Sequence, residues 1–153
     1  MVKKYTSFFY KVFYVVYIII AIQCLALFIL IILSSLLPVI SPSQFEKGMI
    51  ALRQVMPNLS YPFFILSLIL YLVKLFFFLI FSKCSKRLFK NIMEKDSPFI
   101  FQNKRALKWI SISFFLYYVI PIYPFESLEL YHITTGFLVS SLLYLFSLIL
   151  DKS

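Results

Sequence analysis

The chain has 153 residues, 62% of them hydrophobic and 14% charged, with a formal net charge of +9. Its mean hydropathy of +0.94 excludes an ordinary water-soluble globule and makes the bilayer the expected solvent. The excess of positive charge is then a topology signal before it is a nucleic-acid footprint.

The first apolar run, residues 12–37, follows Lys3, Lys4 and Lys11. It is longer than the about 7 to 15 apolar residues of a secretory signal, and it ends at Pro38. Gln23 stands before Cys24, where a lipoprotein-type cleavage site needs a small residue. An uncleaved first span is therefore expected, with Tyr5, Tyr10, Tyr14 and Tyr17 at the interface that aromatic residues favour. Residues 38–61 read as an outer loop made of a turn, a short helix and a second turn. Ser43-Gln44-Phe45-Glu46 fits a capping box. Phe45, Met49, Leu52 and Met56 then recur at helical spacing, while Lys47, Arg53 and Gln54 stay off that stripe. Pro57-Asn58 stops the pattern, which predicts a short amphipathic helix on the outer membrane surface or over the ends of a four-helix bundle.

The second span, 62–82, leads into a basic loop, 83–108, that holds eight of the fifteen Lys and Arg. Lys83, Lys86, Arg87 and Lys90 fall at i, i+3, i+4 and i+7, on one face of a helix continuing from the span. Asp96-Ser97-Pro98 breaks that helix, because proline cannot continue it and pushes the preceding residue out of the α region. A new helix is expected to begin near Gln102 and to carry Lys104, Arg105 and Lys108 before Trp109 marks the interface. The loop thus reads as a cytoplasmic helical hairpin. A third span, 102–123, runs into Pro121 and Pro124, and a fourth occupies 130–150. Sorted by side, twelve basic residues lie inside, two outside (Lys47 and Arg53) and one within a span (Lys74), which places both termini in the cytoplasm. The expected fold is an all-α membrane protein in the bacterial cytoplasmic (inner) membrane: one transmembrane domain over 1–153, with four transmembrane helices, N-in/C-in.

Three groups of residues are candidates for function. Lys74 is the one charge well inside a span. Either it snorkels toward the cytoplasmic headgroups, or it faces the bundle interior and meets Gln23, at similar depth on the first span, as an intramembrane polar pair. His132, Glu126 and Glu129 gather near the outer end of the fourth span, where a histidine beside carboxylates suits a metal or a pH response. They are equally explained as solvated interface residues. The basic face of Lys83, Lys86, Arg87, Lys90, Lys104, Arg105 and Lys108 suits anionic lipid headgroups or an acidic surface on a cytoplasmic protein. Direct nucleic-acid contact is disfavoured, since a negative membrane competes for the same face. Cys24 and Cys84 lie at different depths, so no disulfide is expected. No zinc-protease, phosphate-loop or nucleophile-elbow motif occurs, and neither an enzyme nor a cofactor is expected.

The stretch Asp96-Ser97-Pro98-Phe99-Ile100-Phe101-Gln102-Asn103, followed by Arg105, Leu107, Lys108 and Ile110, resembles the Pro-Phe, Asn, Leu-basic-x-Ile pattern of a small bacterial membrane family catalogued as domain of unknown function 2975. Length, four spans and the position of the motif between the second and third spans are also similar; Ile100 departs from the Ser or Thr that often follows Pro-Phe. The resemblance implies no catalytic residues. It implies that Pro98, Phe99 and Asn103 shape the hairpin turn, and that the protein partners a small helix-turn-helix regulator encoded beside it.

The expected function is a non-enzymatic membrane protein whose partners are the bilayer, its anionic headgroups and a small cytoplasmic transcription regulator that it sequesters or signals to. Two other classes stay open. One is an immunity or exclusion protein that meets a peptide toxin or phage component at the outer helix. The other is a small-molecule sensor or transporter component, which requires Lys74 and Gln23 to face a cavity. Oligomeric state, homo-oligomers included, is not fixed by the pattern.

Overall fold

A computed structural model describes residues 2–55, 57, 60–95, 101–121 and 130–152. Every element in it is a helix: α1 (Val2–Ile40), α2 (Pro42–Val55), α3 (Tyr61–Lys95), α4 (Phe101–Val119) and α5 (Leu130–Lys152). Tyr5–Ile40 within α1 and Tyr61–Glu94 within α3 are long and apolar enough to cross a membrane. At 39 and 35 residues, and 1.5 Å per residue, the two helices are about 58 and 52 Å long.

α1 and α3 pack antiparallel along a seam of period 3.5. Thr6, Phe13, Ile20, Leu27 and Ser34 recur every seventh residue on α1 and are buried or half-buried, and Tyr61, Leu68, Leu75, Ser82 and Phe89 do the same on α3. A strict heptad keeps one stripe against a partner helix when both supercoil gently, as in a coiled coil. Ile20, Leu27 and Leu75 are the centre of this seam. At one end Phe89 stacks on Phe9 and Phe13, at ring-centroid distances of 5.3 and 5.6 Å. Away from the seam α1 exposes many large apolar side chains, Ile22 and Leu25 among them.

Pro38 does not end α1, contrary to the expectation from sequence: the helix passes through it to Ile40. A proline inside a helix withholds one N–H, and the carbonyl four residues earlier loses its donor. Here that carbonyl is Ser34 O, and the Tyr61 hydroxyl at the start of α3 donates to it at 3.0 Å. The break comes at Ser41-Pro42, where a second proline cannot donate to the Pro38 carbonyl and biases Ser41 away from the helical region.

The start of α2 also differs from the expected capping box. The helix begins at Pro42 rather than after Ser43, and the Ser41 carbonyl accepts from Phe45 N at 3.0 Å. Proline suits the first helical position, where an N–H has no partner in any case. The α2 stripe turns inward: Met49 is buried and the Phe45 ring meets Tyr61 edge-on at 5.0 Å. Ser34, Leu37 and Phe64 join them around a small cavity of about 160 Å³. α2 thus lies over the adjoining ends of α1 and α3. Met56 lies outside the described residues.

The remaining contacts join α3 to α4 and α4 to α5. The four long helices therefore stand in a row, α1, α3, α4, α5, and among the described residues no comparable contact between α1 and α5 closes them into the expected bundle. Phe81 and Phe114 (5.7 Å), and Phe78 and Tyr117 (5.2 Å), run the aromatic contacts from α3 into α4. α5 then comes close enough that a Cβ added at Gly136 would lie 2.7 Å from Tyr118 Cβ.

Candidate functional site

The basic tract falls where α3 and α4 run side by side. Lys83, Arg87 and Asn91 are spaced i, i+4 and i+8 and form one ridge of α3; Arg105 and Trp109, again four apart, face them from α4. Between the ridges lies a cavity of about 660 Å³ that these five residues line together with Ile80. Ala106 of α4 also lines it, a small side chain between Arg105 and Trp109. Deeper along the hairpin, Asn91 Nδ2 donates to Asn103 Oδ1 at 3.1 Å. Asn103 is fully buried, and a buried carboxamide is costly unless hydrogen-bonded, so this bond ties the two helices together below the cavity. Pro98 and Phe99 lie outside the described residues.

The seven basic residues do not form one surface. About 100° of rotation separates Lys86 from Arg87, enough to send their side chains to different neighbours. Lys86 reaches α1, its ammonium 4.5 Å from the Tyr17 ring centroid and 5.1 Å from that of Tyr14. Such cation–π contacts add about 0.5–1 kcal/mol at exposed sites. Lys90 pairs with Glu94 at 3.6 Å, both half-exposed, a contact of little energetic weight. Lys104 is half-buried and Lys108 exposed. That leaves Lys83, Arg87 and Arg105 on the cavity. Cys84 also borders it.

Lys74 points away from α1. Its ammonium stands 5.0 Å from the ring centroid of Tyr117 on α4, whereas Gln23 is exposed on α1. The structure does not bring the two together, because Gln23 lies off the heptad stripe that α1 turns toward α3. Tyr117 was not singled out from sequence; depth could be counted along each span, but the direction of a side chain around an all-apolar helix could not. Glu126 and Glu129 lie outside the described residues, as does the side chain of His132.

A second polar feature joins α4 to α5. Ser111 Oγ donates to the Ser140 carbonyl at 2.6 Å. Ser82, Ser113 and Ser147 instead bond back to carbonyls three or four residues earlier on their own helices, the usual way for a serine to satisfy itself in an apolar setting. Among the described residues, Ser140 Oγ is the one buried side-chain polar atom without a hydrogen-bond partner. The sequence signal was Gly136-x-x-x-Ser140, a small-x-x-x-small spacing that permits close approach.

No family model matches the chain, and no curated protein or solved structure matches it.

Proposed function

We propose that this chain is a non-enzymatic, four-span membrane protein with both termini in the cytoplasm, and that the hairpin formed by the ends of α3 and α4 is its interaction surface for a small cytoplasmic regulator. The observation that carries the reading is the gathering of positive charge at one end. Phe9 and Phe13 of α1 stack on Phe89 near the end of α3, and Asn91 of α3 bonds Asn103 near the start of α4. Antiparallel packing therefore sets the lysine-rich starts of α1 and α4 beside the basic end of α3, the asymmetry that holds short loops on the cytoplasmic side. The exposed apolar flanks of α1 and α3 are then lipid contacts.

Within this reading, Lys108, exposed on α4, and Lys90, whose contact with Glu94 carries little energetic weight, are hairpin cations presented to an acidic partner surface. The resemblance around Pro98, Phe99 and Asn103 supports a transcription regulator as that partner. Topology reporters test the frame. A periplasm-active enzyme fused after residue 50 or 126 should be active, and one fused after residue 100 or 153 inactive. Activity at residue 100 would overturn the orientation and, with it, a cytoplasmic partner.

A further inference from the structure

We infer that the cleft between α3 and α4 is a phosphate site, built to hold the phosphate of an anionic amphiphile at headgroup depth or a free phosphate of the same chemistry. The inference rests on the proposed membrane orientation and adds a ligand to it.

Charge comes first. Lys83 and Arg87 of α3 and Arg105 of α4 border the cavity, with no carboxylate in its lining among the described residues. Among the described residues none of the three has an ion-pair partner, while neighbouring Lys86 and Lys90 are engaged elsewhere. Three like charges around one cleft repel each other, and an anion between them removes that cost. Two of the three are arginines, whose planar fork matches phosphate oxygens in a bidentate way. Size agrees as well: about 660 Å³ falls within the range of small-molecule sites, roughly 300–1,000 Å³.

Position points to an amphiphile. Lys83 directly follows the apolar run that ends at Ser82, and Trp109 opens the apolar run of α4, so the cleft lies where hydrocarbon gives way to headgroups. Its lining is polar at Arg87, Asn91 and Arg105 and apolar at Ile80 and Trp109. Basic pockets between membrane helices on the cytoplasmic side are suited to anionic headgroups. Trp109 is 47% exposed, within reach of an acyl chain whose phosphate sits on the arginines.

Trp109 is also the only tryptophan in the chain, which supplies a built-in probe. The full-length protein is reconstituted in phosphatidylcholine vesicles that contain equal fractions of acyl-brominated phosphatidylglycerol or acyl-brominated phosphatidylcholine, and quenching of Trp109 is followed. Brominated phosphatidylglycerol should quench more strongly. In Arg87→Gln/Arg105→Gln its apparent affinity should fall about 25-fold, at about fivefold for each cation. Lys90→Gln/Lys108→Gln, which loses the same charge outside the cleft, should keep it. If inorganic phosphate reverses the excess quenching, the site accepts free phosphate as well as lipid; if it does not, lipid is the ligand. Equal quenching by both lipids, with no response to inorganic phosphate, overturns the site and leaves the membrane reading standing. Absence of quenching by either lipid overturns the membrane reading itself.

Discussion

The α1/α3 pair and the α4/α5 pair are both antiparallel contacts, built from opposite materials. α1 and α3 meet through large side chains on a heptad seam, with stacked phenylalanines at one end and the Tyr61 hydroxyl on a proline-freed carbonyl at the other. α4 and α5 meet where small residues allow close approach: Gly136 lies against the Tyr118 side chain, and Ser111 bonds the Ser140 carbonyl. Hydrocarbon solvates leucine as well as leucine does, so burial of apolar surface gives membrane helices little reason to associate, and close packing and hydrogen bonds take over. In the proposed membrane setting, the two pairs are two solutions to that problem. One fills the interface with interlocking bulk, and the other removes bulk until backbones approach.

The largest test removes the close approach. In Gly136→Ala the new Cβ falls 2.7 Å from Tyr118 Cβ, an atom fixed to its own backbone, so the helices must separate or tilt. A loss of about 1–3 kcal/mol is expected, read from unfolding of the purified protein in mixed micelles. The second glycine is the control. Nothing lies within 4 Å of a Cβ built on Gly48, in the middle of α2, and Gly48→Ala should gain about 0.5–1 kcal/mol through helix propensity. Equal effects at the two glycines would mean that α4/α5 packing is not governed by close approach.

A smaller effect is expected at the other pair. Tyr61→Phe leaves the ring against Phe45 and removes only the hydroxyl from Ser34 O, a loss of about 1 kcal/mol. If the bond exists because Pro38 withholds an N–H, then Pro38→Ala, which restores the donor at position 38, should shrink the cost of Tyr61→Phe toward zero in a double-mutant cycle. Additive effects would detach the tyrosine from the proline and leave α1/α3 resting on side-chain bulk alone.

What could be read from sequence follows the same division. The α2 stripe was legible because Lys47 and Arg53 contrast with Met49 and Leu52; its first residue was not, because Ser43 and Glu46 imitate a cap while Pro42 sets the start. The α1 seam was illegible for the opposite reason. Ile20 and Ile22 are equally apolar, and only the position of α3 makes one buried and the other exposed. Lys74 and Gln23 could be matched for depth but not for direction, which is why Tyr117 rather than Gln23 faces the ammonium. In the basic tract, helical spacing located the ridge of Lys83 and Arg87. That Lys86 leaves it for α1 depends on Tyr14 and Tyr17, more than sixty residues earlier in the chain.

The finest test separates the two serines of the α4/α5 contact. Ser111→Ala deletes a hydrogen bond that crosses between helices, and such bonds in membrane proteins average about 0.6 kcal/mol, so a loss of that size is expected. Ser140→Ala should behave differently. The Ser140 backbone carbonyl still accepts from Ser111 after the change, whereas the hydroxyl that disappears is buried without a partner. Deleting an unsatisfied polar atom removes a desolvation cost and leaves every bond in place, so the variant should be neutral or gain up to about 1 kcal/mol. A clear loss at Ser140 would mean that its hydroxyl has a role in the α4/α5 contact beyond being small. The pair would then be held by polar bonding rather than by the absence of bulk that Gly136 demonstrates.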